Sequence, residues 1–435
     1  MFACKVAICW LALFLAGIFA YTFSKGIWLT FLLGTPWQDW QWYLPLTLLF
    51  VLPLLQVAIR WHGKRFSRLF YLVLFLWILV GFTGFGYEES ISLSEAPPIK
   101  LSFWVGRIEG DDTRLLEQLQ AAEASLYLRG PTPLTDERSQ AFSVLLEQLN
   151  GYDIGVLLFV PASDFLSVPV QEEWMENIGQ TAAFIQQENP PNIRGLIGDA
   201  EAPRFTPFDS FRSDISPVTA AAIEMESFLS DYQQAYPDLP IGVTAAWQLH
   251  LDKLDGDQDL SILYRAPVDP PDSWNFASVM NYSSYYPSSM RPYLVSRTIH
   301  NMAYRYPDKL VSHLIGLVGG GFLWEPILDF EDIVQDGRIA RALGAEEIVV
   351  FQLKGAVEDF GEDFVLRFAT AVNNPPTEEP IHIPFSRLAS LWLTFFALLD
   401  AFLDLVGFCW QLTIVWMGIS LILVLLHSKV GCKSG

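Results

Sequence analysis

Between Ile99 and about Asn374 the chain alternates short β-branched or aromatic runs with longer amphipathic stretches, and it does so eight times. Such runs read as buried parallel strands, each followed by a helix that packs back on the sheet. The expected strands are Leu101–Arg107, Ser125–Arg129, Ile154–Val160, Ile193–Asp199, Ile241–Trp247, Ala277–Tyr282, Leu314–Val318 and Glu347–Leu353. Eight βα units in roughly 275 residues match the size of one α/β (β/α)8 TIM barrel. A doubly wound open sheet is the alternative, but no G-x-G-x-x-G follows the first strand, and Gly319-Gly320-Gly321 is too plain for a phosphate loop. Start signals mark the helices, with Asp111 opening the first and Ser216-Pro217 opening the one that contains Met225 and Phe228. Only the fifth connection, Asp252 to Asp272, is irregular; rich in Asp and Pro, it reads as a long loop on the face where barrel active sites lie.

The ends differ from this middle. Hydrophobic residues make up 51% of the chain and charged residues 17%, and the apolar excess is concentrated in the flanks. Val6 to about Phe23, Trp42 to Ile59 and Leu69 to about Phe85 are each long enough to span a bilayer. The basic loop Arg60, His62, Lys64, Arg65 and Arg68 between the second and third is of the kind retained in the cytoplasm. Phe408 to Leu426 is a further span, followed by His427, Lys429 and Lys433. Ser386 to Val406 carries Asp400 and Asp404, which are costly at mid-bilayer, so it reads as interfacial, with a second span as the alternative. The expected organisation is therefore an N-terminal membrane region over residues 1–90 with three transmembrane helices, a barrel over 95–380 and a C-terminal membrane region over 384–435. Orientation places both termini in the cytoplasm and the barrel on the periplasmic or extracellular side of a multi-pass inner (plasma) membrane protein. A cleavable signal peptide is the competing reading of the first segment, since Ala16, Gly17 and Ala20 supply small residues near its end.

The net charge of −21 belongs to the middle region and argues against nucleic acid as a partner. All four cysteines, Cys4, Cys9, Cys409 and Cys432, lie in or beside the hydrophobic ends, which leaves the middle without a disulfide framework or a thiolate metal site. The acidic run Asp255-Gly256-Asp257-Gln258-Asp259 lacks the ligand spacing and closing Glu of an EF-hand. His250 and His313 are too few for a metal-dependent hydrolase and are expected at opposite barrel ends, and no G-x-S-x-G elbow is present. No metal and no cofactor are expected.

Reactive side chains of a barrel project from the C-terminal ends of its strands. The fourth strand closes on Asp199-Ala200-Glu201, two carboxylates that strand alternation puts on one face. A carboxyl held there beside another, among apolar neighbours, is expected to have the raised pKa a general acid for glycosidic cleavage needs, and Glu201 is the candidate. The plain alternative is that both residues cap the following helix. Around them, Trp247 and Gln248 end the fifth strand, Asn281, Tyr282 and Tyr285 the sixth, and Trp324 and Glu325 follow the seventh. Aromatics clustered at strand ends suit the apolar faces of sugar rings.

At the fourth strand the chain resembles glycoside hydrolase family eighteen, the chitinase-like barrels, whose motif there is D-G-x-D-x-D-x-E. Gly195, Asp199 and Glu201 match, while Arg194 and Ile197 stand at the first two Asp positions. Val279-Met280-Asn281-Tyr282-Ser283 is similar to the family's M-x-Y-D, with Ser283 in the Asp position, and Phe351-Gln352 stands where the family shows Trp and a polar residue. The resemblance implies a substrate-assisted mechanism, in which Glu201 protonates the leaving oxygen while the substrate's acetamido group attacks, steered by Asp199 and Tyr282. Trp247, Gln248, Asn281, Tyr285, Trp324 and Glu325 are expected sugar contacts from their strand-end positions, and the resemblance adds Gln352. The partner expected is a polysaccharide or oligosaccharide at the outer face of a lipid bilayer. The rival class is a non-catalytic glycan-binding or scaffold barrel working with other membrane proteins that assemble or export a polysaccharide.

Overall fold

The computed structural model describes residues 89–93, 96–106, 112–132, 134–162, 168–200, 216–251, 273–316, 328–374 and 380–384, with Leu260, Ala266, Ser386 and Ala389. By internal contacts the chain divides into Glu88–Phe385 and a second unit made of Met1–Tyr87 with Ser386–Gly435. The expected membrane segments lie outside the described residues, and among the described residues no helix is long and apolar enough to cross a membrane.

The first unit runs β1 (Glu89–Ile91), β2 (Lys100–Val105), α1 (Thr113–Ala121), β3 (Ser125–Arg129), α2 (Asp136–Gly151), β4 (Val156–Phe159), α3 (Gln171–Glu188) and β5 (Ile193–Ala200). It continues with α4 (Ser216–Ala235), β6 (Ile241–Ala246), β7 (Phe276–Met280), α5 (Arg291–Arg305), β8 (Val311–Gly316), α6 (Phe330–Ala342), β9 (Glu347–Phe351), α7 (Leu353–Phe360), α8 (Phe364–Asn373) and β10 (Ile381–Ile383). Strands β2 to β9 pair in parallel and in order, and β9 closes on β2, so the sheet is a (β/α)8 barrel and the open-sheet alternative is excluded. Seven of the eight barrel strands begin and end within two residues of the expected positions. The seventh is the correction. It starts at Val311, three residues before Leu314, because Ser312 faces the lumen and His313 the surrounding helices, so both polar residues are buried within the strand.

Outside the barrel, β1 and β10 form a two-stranded antiparallel ribbon that pairs Glu89 with Ile383 and Ile91 with Ile381. The barrel unit therefore begins and ends at adjacent points, and β10 packs against α5 and α6. Helix starts follow local chemistry. Thr135 accepts a hydrogen bond from the Arg138 backbone N–H ahead of α2, Asp329 does the same for Asp332 ahead of α6, and acidic residues occupy both first turns, where the helix dipole favours them. For α1 the capping position is Asp112, not Asp111, which lies outside the described residues. Helix α5 has almost no solvent face, since Ser296, Arg297, Thr298, Asn301 and Arg305 are all buried beside its apolar residues.

Strand alternation fills the lumen in layers. At its base the fully buried Glu347 accepts from Ser102 Oγ at 2.6 Å and from the Tyr127 hydroxyl at 3.2 Å, and pairs with Arg194 at 3.4 Å. The Tyr127 hydroxyl also lies 3.0 Å from Ser312 Oγ. Burial, with the Glu347 charge adding to it, pushes the Tyr127 hydroxyl well above its ordinary range, so it stays a donor. Burial also lowers Lys100, against the pull of Glu347. Above this base lies an apolar layer that includes Leu157, Ile197, Leu314 and Val349. Gly242 is required there, because a Cβ would stand 2.3 Å from the Phe276 ring.

Replacing Glu347 by Ala leaves the Ser102 and Tyr127 donors and Arg194 without their common acceptor. The expected cost is about 3 kcal/mol, with Glu347→Gln costing less, read as a drop in the urea midpoint of the full chain. Equal midpoints for wild type and Glu347→Ala would remove the hub from the account of stability.

Candidate active site at the barrel mouth

The lumen-facing side chains change character at the C-terminal strand ends. Trp104 on β2 stacks on Tyr127 with ring centroids 5.6 Å apart and lies 5.2 Å from Phe159 and 6.0 Å from Phe351. Phe351 lies 5.7 Å from Tyr282, and Tyr282 meets Tyr285 edge to face at 5.9 Å. These rings, drawn from β2, β4 and β9 and from the turn after β7, make a continuous aromatic floor across the top of the lumen. Phe159 and Phe351 are half-buried and Tyr285 is 38% exposed, so the floor is open to what enters the mouth.

Asp199 stands at this level. On β5 it follows Ile197 by two residues and pairs in register with Thr244 of β6, whose next partner, Ser278, shares the face of lumen-lining Phe276. Its side chain is therefore directed into the lumen, half-buried, directly above the fully buried Ile197. Arg129, beside Phe159 in the register of β3 and β4, is an exposed cation on the same rim. The arrangement offers an apolar surface of mutually tilted rings edged by a carboxylate and a guanidinium, able to pack against an apolar ring face and hydrogen-bond its polar edge.

The expected site residues do not form a single cluster. Asp199, Tyr282 and Tyr285 all lie at the C-terminal strand ends, and the two tyrosines meet edge to face. Trp247 is buried just beyond β6 and donates its indole N–H to the Tyr286 hydroxyl at 3.3 Å, while Gln248 is half-buried beside it. Gln352 is half-buried at the start of α7 and joined to Phe351 by a cis peptide bond. Asn281 points the other way, away from the lumen, and its amide donates to the Val295 carbonyl of α5 at 3.4 Å. Glu201, Trp324 and Glu325 lie outside the described residues. Sequence reasoning missed Trp104, Phe159 and Arg129 as rim residues. The signal was available, since Trp104 follows the lumen-facing Ser102 by two residues, but a tryptophan at a strand end reads first as core.

Among the described residues no group of three or more His, Cys, Asp or Glu is placed to hold a metal ion. The histidines require a correction, because His313 is near enough to act on the charge of His250, and the two are not at opposite ends. His250 Nδ1 lies 2.7 Å from the Tyr306 hydroxyl, just past the end of α5. The turn after β6 carries His250 to the outer wall of the barrel, where His313 of β8 also points.

No family model and no curated protein sequence matches the chain. Solved structures similar to it include the glycoside hydrolase domain of PgaB (BpsB) from Bordetella bronchiseptica, at 12% identity and a TM-score of 0.41, covering 64% of this chain and 99% of that one. A GH18 chitinase from Pseudoalteromonas aurantia is similar at 12% identity and 0.41, covering 62% and 99%. A β-glucosidase from Thermotoga maritima is similar at 9% identity and 0.38, covering 55% and 76%. The architecture itself rests on the strand order and pairing given above.

Burial, with the charges of Arg305 and His313, pushes His250 down to about 3, and burial pushes His313 down to about 4. An unfolded histidine titrates near 6.5, so the stability that comes from keeping both rings neutral is fully present above that pH and is lost as pH falls toward 4. The urea midpoint is therefore expected to fall between pH 7 and pH 4.5 more steeply in wild type than in His313→Leu. Parallel slopes would contradict this.

Proposed function

We propose that this chain is a membrane-anchored, glycoside hydrolase-like barrel that acts on an exported or cell-surface polysaccharide at the outer face of the membrane. In this reading Glu201 is the general acid, and Asp199 and Tyr282 steer the acetamido group of an N-acetylated substrate. The observation that carries it is Asp199, a carboxylate at the lumen rim above an aromatic floor, with a second carboxylate, Glu201, two residues further along the chain. The floor supplies apolar area for sugar rings, and paired carboxylates are what glycosidic cleavage requires. Anchoring is supported by the hydrophobic flanks, the basic loop Arg60 to Arg68 and the adjacent ends of the barrel unit at Glu89 and Ile383.

One observation favours the non-catalytic reading. Below Asp199 the lumen holds buried Ile197, and Ser283 bonds Asp336 outside the lumen, so two positions that carry Asp in the resembled family are here apolar or turned away from the mouth.

The test uses the full chain in detergent against N-acetylated and neutral polysaccharides. Wild type is expected to cleave an N-acetylated polymer, with Glu201→Gln and Asp199→Asn each lowering kcat by roughly 10²- to 10⁴-fold while binding is kept. Binding by wild type without cleavage of any polymer would instead establish the glycan-binding barrel. Topology is tested separately. Protease added to intact spheroplasts should digest the barrel, and full protection would reverse the proposed orientation.

A further inference from the structure

Among the described residues, four polar contacts tie down the turn that carries the mouth tyrosines. Ser283 Oγ lies 2.5 Å from the Asp336 carboxylate of α6, and Ser284 Oγ donates to the Gly316 carbonyl at the end of β8 at 3.2 Å. Arg291, at the start of α5, donates from Nε to the Tyr286 carbonyl at 3.0 Å and from Nη1 to Asp332 of α6 at 2.7 Å. The fourth contact is the indole N–H of Trp247 on the Tyr286 hydroxyl. Ser283, Ser284 and Asp336 are all buried. Three of these ties use neutral groups or a guanidinium that already has a carboxylate partner. Asp336 is different, being a buried carboxyl that, among the described residues, accepts its hydrogen bond from the turn.

We propose that Asp336 is a positioning residue of the mouth: through Ser283 it sets the placement of Tyr282 and Tyr285, and its charge state controls how firmly that tyrosine shelf is held. The ligand side of this inference rests on the glycan reading above, whereas the ordering of the shelf does not.

Burial pushes the Asp336 carboxyl up to about 7; the Ser283 hydrogen bond works against this, Asp332 adds to it and Arg291 opposes it. The other elements packed on α6 add little charge. On β8 His313 is held neutral by burial, on β10 His382 is exposed, and on α8 Arg367 bonds Asp363 and lies over the Phe330 ring. The direction of the effect follows. In the closed shelf the carboxyl keeps its proton up to about 7, but with the shelf open and water admitted it ionises near 4, its ordinary range. Opening therefore releases a proton and becomes easier as pH rises from about 4 to about 7, then levels off.

Hydrogen exchange of residues 282–286 in the full chain, corrected for the intrinsic rate at each pH, tests this without a ligand. In wild type the opening equilibrium is expected to rise up to about tenfold per pH unit between pH 5 and 7 and then flatten. Asp336→Asn, which keeps the size and a polar partner for Ser283, is expected to hold the shelf closed with no such rise, and Ser283→Ala to raise exchange already at pH 5. The same pH profile in wild type and Asp336→Asn would overturn the proposal, as would unchanged exchange in Ser283→Ala. A second arm titrates chitohexaose by tryptophan fluorescence, with weaker binding at pH 7 than at pH 5 expected in wild type only. Absence of binding at any pH with the expected exchange profile sinks the glycan reading and leaves the shelf intact, whereas binding with a flat exchange profile does the reverse.

Discussion

Glu347 has no exposed surface, and a carboxylate so placed is tolerable only when several donors meet its charge at once. Its partners come from different parts of the barrel wall: Ser102 from the first barrel strand, Tyr127 from the second and Arg194 from the fourth, with Glu347 itself on the last. Contacts that span the lumen in this way can form only when the sheet is closed. An open sheet with the same strand order would put β9 and β2 at opposite edges and part the carboxylate from Ser102, Tyr127 and Arg194 together. The hub thus links polar satisfaction to topology, and it does so at the N-terminal end of the strands, where barrel residues stabilise and do not react.

With the charges of Glu347 and Arg194 gathered at the base, the lumen above is mostly apolar and aromatic, with Thr244 and Ser278 as small polar residues level with Asp199, and this shapes the mouth. Ile197 closes the space beneath Asp199, so the rim carboxylate stands on a hydrophobic plug and not on a chain of further acids. The aromatic rings are the upper surface of the same core cluster, since Trp104, Phe351 and Tyr282 pack at once against the plug and toward the opening. Core and platform are continuous, and a substitution that loosens one disturbs the other.

Much of this was legible in the sequence because parallel barrel strands are buried on both faces and read as short apolar runs. Leu126–Leu128 and Leu196–Ile197 show this at the level of single residues. The seventh strand was misplaced for the converse reason: Ser312 and His313 look like solvated positions, and only three-dimensional packing shows that the lumen and the helix layer bury them. Helix α5 misleads in the same way, as its Arg297, Asn301 and Arg305 have the spacing of a wet face. At the site, alternation along the fourth barrel strand correctly brought Asp199 to the rim, but Asn281 could not be separated from Tyr282 without knowing which residue of β7 starts the lumen-facing series. Phe276 starts it, so Met280 and Tyr282 follow the lumen side and Asn281 does not.

The Ser283 position shows why a motif read one residue at a time loses information that packing restores. A serine where a resembled family has a carboxylate looks like the loss of a functional acid. In three dimensions the serine meets a carboxyl anyway, Asp336, supplied by α6 and approaching from outside the lumen. The two arrangements are not equivalent. A carboxylate on the strand end faces whatever enters the mouth, whereas one on the helix is shielded by the turn it holds and acts only through that turn's order. Moving the charge from the wall of the site to its support exchanges direct contact for control of placement. It also explains how a group so poorly solvated is tolerated near neutral pH, because it can keep its proton for as long as the turn stays closed.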